Sequence, residues 1–269
     1  MAFTVFIDDL ALIEILIAMV AVLFAYAGVL IWWGMRQNDA KGVRTVLKGM
    51  SVPLGMTGFA IFGLALWGEM TWPFLASDGL GGYNIFFFDP LLLFGIVLVA
   101  YAISAHLSIK MEYVGLIALV FGAVTIFYGW QGYTATPAFT KDPFDTLLLY
   151  IAFGVTGIAA FPVTVLIDYF LKCADLGRPA FNPLIMGRAA RPVRSITTTR
   201  GAQPVAPSVA RSAPSTEEAN TNLVSRFPIW AQTLVLFFPF VAALAAIAAF
   251  WYFDMTLPGH LGLGAAAAP

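Results

Sequence analysis

The chain has 269 residues, of which 60% are hydrophobic and only 11% are charged, and its mean hydropathy is +0.86. A soluble domain is nearer half apolar and a quarter charged, because water must solvate its surface, so this composition excludes an ordinary soluble globule. The net charge of −1 favours no class of partner, and the single cysteine, Cys173, excludes an internal disulfide framework and a thiolate metal cage.

Six stretches of the chain are long and apolar enough to cross a bilayer as helices, which takes about 20 residues each. The first is interrupted only by Glu14, the fifth contains Pro162 and the sixth contains Pro239. Proline is tolerated in such helices because neighbouring groups can satisfy the backbone. The sequence therefore predicts an all-α, polytopic transmembrane bundle of about six helices. The predicted spans are 10–35, 50–71, 90–109, 111–130, 146–171 and 227–253.

The distribution of positive charge predicts the orientation of these spans. Lys and Arg collect on the cytoplasmic side of membrane proteins. When the loops are assigned alternately to two sides, every Lys and Arg except Lys141 falls on one side. The pattern predicts a multi-pass protein of the cell membrane whose N-terminus and C-terminus both lie on the outer side.

The interval between the fifth and sixth spans differs from the rest of the chain. Residues 175–226 are rich in Pro, Ala, Ser, Thr and Arg and lack apolar periodicity, which is typical of a linker. The sequence thus predicts a five-helix bundle over 1–174, a cytoplasmic linker over 175–226, the sixth helix and an outer tail over 254–269. Because a long tether lets a helix dock at a distance, we expect the sixth helix to pack apart from helices two to five or against a partner.

Two predicted helices begin alike, with FDPLLLF at 88–94 and FDTLLLY at 144–150. Each of these helices would form a hairpin with the span before it, over 50–109 and over 111–171. The two hairpins have the same orientation, so the repeat is of the parallel kind. A carboxylate at a helix start accepts the first free amide hydrogens and faces the positive end of the helix dipole. We interpret Asp89 and Asp145 as helix N-caps rather than as ligands.

Charged groups inside a bilayer are costly and are therefore functional candidates. Glu14, Glu69, Asn84 and Asp89 all fall near the predicted outer ends of their helices. Together they could form an outward-facing acidic pocket that binds a cation or a proton. Alternatively, each side chain is hydrated at the interface or hydrogen-bonded to a neighbouring helix.

A second polar cluster is predicted near the cytoplasmic ends, from His106, Glu112 and Asp168. His106 with Glu112 could form a proton relay or a metal pair, or His106 could be an ordinary interfacial histidine. The chain has no second histidine placed to complete a haem, copper or di-iron site. We therefore predict no catalytic residue, metal site or cofactor, and we expect bound lipids. Nucleic acid is not expected as a partner, since the arginines are scattered between prolines.

The sequence EMTWPF at 69–74, followed by YNIF at 83–86 and FDP at 88–90, resembles the family called domain of unknown function 981, an uncharacterised group of archaeal and actinobacterial membrane proteins. In that family a T-W/Y-P motif ends one helix and a Y/F-N-I…G-E/D-P motif precedes the next. Here Phe88 stands in place of the glycine. The resemblance covers roughly 52–170, and it implies architecture without a known activity.

Two hypotheses about function follow from these features. The first is an accessory or structural subunit of a larger membrane complex, of the respiratory or membrane-bound monooxygenase type. It rests on the lack of cofactor ligands and on 24 Phe and 7 Trp residues that could pack against other subunits. It also rests on the long linker, which would let the sixth helix dock at a distance from its own bundle. The alternative is a small transporter or channel that uses the acidic pocket as a cation or proton site. A membrane enzyme ranks third, because no catalytic constellation is evident.

Overall fold

The computed structural model describes residues 9–71, 82–135, 143–177 and 229–260. These residues form six α-helices, each long and apolar enough to cross a membrane, and none of them lies in a strand. The predicted all-α architecture with six spans is confirmed. The helices are α1 (Asp9–Arg36), α2 (Ala40–Thr71), α3 (Gly82–Leu107), α4 (Glu112–Thr134), α5 (Pro143–Asp175) and α6 (Ile229–His260).

Helix α2 starts ten residues before the predicted span, at Ala40 instead of residue 50. The turn before it contains Asn38 in the left-handed region, with φ 55°. Asp39 then caps the new helix, because its Oδ1 accepts the amide hydrogen of Gly42 at 2.8 Å. A search for apolar stretches misses this first part of the helix, since its basic residues extend beyond the hydrocarbon core.

The six helices form a closed ring in chain order, in which each helix packs on the next and α6 packs back on α1. Three antiparallel pairs are the most tightly packed: α2 with α3, α4 with α5, and α1 with α6. Neighbouring helices alternate in direction around the ring, so the two helices of each pair run in opposite directions.

Small residues allow the close approach of the backbones within each pair. A Cβ atom on Gly58 of α2 would lie 2.7 Å from the Cβ of Leu98, and one on Gly28 of α1 would lie 3.0 Å from the Cβ of Pro239 in α6. Gly122 of α4 contacts the backbone of α5 at Gly154. Packing of this kind stabilises membrane helices where no hydrophobic effect drives their association.

The expectation that the sixth helix packs apart from helices two to five is wrong. Helix α6 packs along α1 and also along α5. Its Val235 and Phe238 belong to the main core, and the Phe238 ring meets that of Phe24 edge to face at 5.7 Å. A long tether permits distant docking but does not require it. Helix α6 packs on its own bundle because its small residues Ala245 and Ala246 fit closely against α1.

The N-cap assignment of Asp89 is also wrong, since Asp89 is the eighth residue of α3. The preceding aromatic residues extend the helix towards the chain start because they pack on its neighbours: Phe86 stacks on Tyr150 and Phe88 lies against Gly68. Asp145 is the third residue of α5, in its first turn, where it faces the positive end of the dipole without being the N-cap.

Candidate functional site

The two ends of the ring differ in charge. One end, here called the basic end, holds the α1–α2 turn, the α3–α4 turn and the end of α5; the opposite end is called the acidic end. Which end faces the cytoplasm stays a prediction. Every Lys and Arg among the described residues lies at the basic end, namely Arg36, Lys41, Arg44, Lys48, Lys110 and Lys172.

At the acidic end, Glu69 of α2 and Asp89 of α3 lie side by side. Their carboxyl groups are close enough to interact by charge and by hydrogen bonding. The residue before each of them takes part in a contact between the two helices, in which Gly68 of α2 lies against the ring of Phe88 of α3. Glu69 and Asp89 are both half-buried, and Glu69 Oε1 is buried without a hydrogen-bond partner among the described residues.

Tyr128 of α4 completes this arrangement, since its hydroxyl donates a hydrogen bond to Asp89 Oδ2 at 3.0 Å. Three helices thus meet at one pair of carboxyl groups, which we call the carboxyl pair (Glu69 and Asp89). Sequence reasoning missed Tyr128, because a single aromatic residue near a helix end is typical of any membrane interface. No pattern in the sequence distinguishes it from the neighbouring aromatic residues of α4.

The remaining two residues of the predicted acidic pocket do not join the carboxyl pair in the described structure. Glu14 is buried, with 6% of its surface exposed, but it lines the central cavity of the ring, which neither Glu69 nor Asp89 lines. The side chain of Asn84 lies outside the described part of the chain.

The polar residues predicted at the cytoplasmic ends separate into two contacts at the basic end. Asp168 of α5 accepts the amide hydrogen of Glu112 at 2.7 Å, and so caps α4 from a neighbouring helix. His106 lies apart from this cap, with Nδ1 3.4 Å from the hydroxyl of Ser51. Among the described residues, no three His, Cys, Asp or Glu side chains are grouped to hold a metal ion.

A third polar contact at the basic end lies on the α3–α4 turn. Lys110 Nζ is 3.2 Å from Glu112 Oε1, and this hydrogen bond and charge raise the pKa of Lys110. Arg44 forms an ion pair with Asp175, which joins α2 to the end of α5. Both pairs are exposed, so they contribute little to stability.

The family model described as "Protein of unknown function (DUF981)" matches residues 1–172. The chain belongs to this family. The match confirms the resemblance and shows that the predicted limits of 52–170 were too narrow, since the DUF981 region includes α1. No match was found among the curated proteins or among the solved structures.

The DUF981 region contains the carboxyl pair, Tyr128 and five of the six helices, whereas α6 lies beyond it. Even so, α6 closes the ring in this protein, between α5 and α1. The candidate site therefore depends on DUF981 residues alone, and the central cavity also needs α6.

Proposed function

We propose that this DUF981 protein is a small proton-linked membrane transporter and that the carboxyl pair is its proton site. The observation that carries the proposal is that the half-buried carboxyl groups of Glu69 and Asp89 lie close enough to interact by charge and by hydrogen bonding. Two neighbouring carboxylates repel each other, and each loses hydration in such surroundings. A single shared proton removes one of the two charges and supplies a hydrogen bond between the two groups.

A proton suits this site better than a metal ion. Ca²⁺ takes at least six oxygen ligands and Mg²⁺ needs a near-ideal octahedral set. Within the described part of the chain, Tyr128 is the one further side chain that is seen to bond to the pair, and its hydroxyl donates to Asp89. The donated hydrogen bond stabilises the charge that remains on the carboxylate when one proton is shared.

The position of the pair supports a link between proton binding and helix packing. Glu69, Asp89 and Tyr128 come from α2, α3 and α4, so loss of the proton places a second negative charge where three helices meet. Such a charge favours any arrangement that separates or hydrates the carboxylates, and a proton favours the closed one. We further propose that the acidic end faces outward in the cell membrane, which follows from the positive charge at the other end.

Proton flux into liposomes tests this function. The full-length protein is reconstituted with a pH-sensitive dye inside, and a pH gradient is imposed. We expect Glu69→Gln and Asp89→Asn each to reduce the flux to that of protein-free liposomes. Glu112→Gln, a carboxyl variant at the basic end, should retain the wild-type flux. Wild-type flux in both variants of the carboxyl pair would rule the transporter out.

The role of accessory or structural subunit stays a prediction. One of its arguments is lost, because α6 closes the ring of its own chain instead of docking at a distance. Exposed aromatic residues such as Trp67 and Trp130 suit lipid contact and contact with another subunit equally. Purification in mild detergent separates the two roles: stoichiometric partner subunits would favour the accessory role, and a lone protein that conducts protons would favour transport.

A further inference from the structure

The ring surrounds a central cavity of about 160 Å³ that is partly open to the outside and is lined by side chains from all six helices. Its walls are almost entirely aliphatic and aromatic, with Phe24, Phe94 and Phe238 among them. An apolar cavity of about 150 Å³ stays dry and binds molecules such as benzene, so water is not the expected occupant here. The cavity is therefore suited to an apolar ligand.

The cavity is long and narrow. Along α3 its lining extends from Phe87 near the acidic end to Ala105 near the basic end, and along α5 from Leu149 to Ile167. At 1.5 Å per helical residue, each of these intervals spans about 27 Å. That length approaches the thickness of a bilayer core, about 30 Å. The lining therefore follows the length of one extended hydrocarbon chain, and the small volume leaves no room for the two chains of a phospholipid.

One hydroxyl group in the cavity wall has no hydrogen-bond partner among the described residues. Tyr101 is 8% exposed, and its hydroxyl is buried without a hydrogen-bond partner among the described residues. Thr164 lies near it and donates its own hydrogen to the carbonyl of Phe161 at 2.8 Å, so Thr164 could only accept from Tyr101 and leaves the acceptor lone pairs of the Tyr101 hydroxyl without a donor. Leaving a buried hydroxyl unsatisfied is unfavourable, so an occupant that bonds to Tyr101 gains affinity from that contact.

The other hydroxyl groups of the wall donate hydrogen bonds within the bundle. Thr125 and Thr156 donate to carbonyls of their own helices, and Tyr150 donates to the carbonyl of Phe86. No Lys, Arg or His lines the cavity among the described residues, and Glu14 lies near its acidic end. An anionic head group would therefore find no counter-charge.

We infer that the central cavity binds a neutral, single-chain lipid whose hydrogen-bonding head group contacts the hydroxyl of Tyr101. Tyr101 lies four residues before Ala105, so the head group sits towards the basic end and the chain extends towards the acidic end, past Phe94. The inference goes beyond the proton site and does not depend on it, because neither Glu69 nor Asp89 lines the cavity.

Photo-labelling tests the inference with the full chain in phospholipid nanodiscs. The probe is hexadecanol with a photoreactive diazirine in its chain, and labelled residues are identified by peptide mass spectrometry. We expect saturable labelling of cavity-lining residues that excess hexadecanol suppresses and hexadecanoate does not. Non-saturable labelling confined to lipid-facing residues would overturn the inference. Equal competition by hexadecanoate would overturn the assignment of a neutral ligand.

Matched variants test the role of Tyr101. Tyr101→Phe should weaken hexadecanol binding about fivefold to tenfold, the loss of one neutral hydrogen bond, whereas Tyr26→Phe on the exposed surface should not. Ala105→Phe should abolish binding by filling the cavity, with the exposed Ala123→Phe as its control. If Ala105→Phe does not fold, the comparison of Tyr101→Phe with Tyr26→Phe still tests the inference. Wild-type affinity in Tyr101→Phe would contradict the assigned contact.

Discussion

The Tyr128 hydroxyl bonds to Asp89 Oδ2 at 3.0 Å and thereby ties α4 to α3 at the acidic end of the ring. At the basic end the same two helices are joined by a short turn that contains Ser108, which has a positive φ of 56°. Helices α3 and α4 share fewer contacts than the other neighbours in the ring. The hydrogen bond therefore links the carboxyl pair to α4 across the interface between α3 and α4, which is the least tightly packed interface between neighbours in the ring.

Replacement of Tyr128 tests how much this hydrogen bond contributes to the stability of the protein. Tyr128→Phe removes the donor while keeping the ring, and we expect a loss of about 1 kcal/mol in the free energy of unfolding. Tyr133→Phe, an exposed position on the same helix, is the control. Denaturant unfolding of both variants in matched micelles measures the difference, and equal stabilities would show that the bond contributes nothing.

A second prediction concerns the proline in α3. Pro90 has no amide hydrogen, so the carbonyl of Phe86 lacks its usual helical partner; it accepts instead from the hydroxyl of Tyr150 at 2.6 Å. Tyr150→Phe should cost about 1–3 kcal/mol, since the carbonyl is buried. Pro90→Ala restores an amide hydrogen, so the double variant should lose less than the sum of the single variants. Strictly additive losses would contradict this coupling.

The sequence predicted the spans well because a bilayer imposes a fixed apolar length on every helix. It did not predict the features that depend on contacts between helices. Asp89 before Pro90 looks like a helix start, but the packing of Phe86 and Phe88 extends α3 past it. The docking of α6 likewise depends on the fit of small residues along α1, which no local pattern reveals.

The glycines of α4 and α5 supply a third prediction. A Cβ on Gly122 would collide with the backbone at Gly154, which cannot move aside cheaply. Gly122→Ala should cost about 1–3 kcal/mol through overpacking. Gly63→Ala in α2, where nothing lies within 4 Å, should leave stability unchanged or raised. Thermal unfolding of the two variants checks this contrast, which would be refuted by similar melting temperatures.

The pKa of Lys110 gives a prediction of pH dependence. Glu112 raises this pKa above its ordinary value of 10.5 in the folded protein. The contribution of the pair to stability is therefore fully present below that pH and is lost as the pH rises through the raised pKa. Glu112→Gln should lower the pKa of Lys110, as measured by NMR titration of ¹³C-methylated lysines; an unchanged or higher pKa would contradict the contact.

The candidate site could be predicted only in part. Glu69 and Asp89 were identifiable because carboxyl groups are rare in membrane helices. Their pairing was not, since it depends on the contact of Gly68 with Phe88 between two helices. Glu14 lies in the part of its helix near the same end of the bundle but faces a different space, the central cavity. The depth of a residue can be read from its position in a span, whereas the direction in which it faces is set by helix packing.

The most direct measurement of the central claim is infrared difference spectroscopy of the reconstituted protein across a pH titration. A shared proton predicts a protonated-carboxyl stretch that titrates in the wild type, is altered by Glu69→Gln and by Asp89→Asn, and is unaffected by Glu112→Gln. A spectrum that neither variant of the carboxyl pair changes would contradict the account, because the proton would then reside elsewhere.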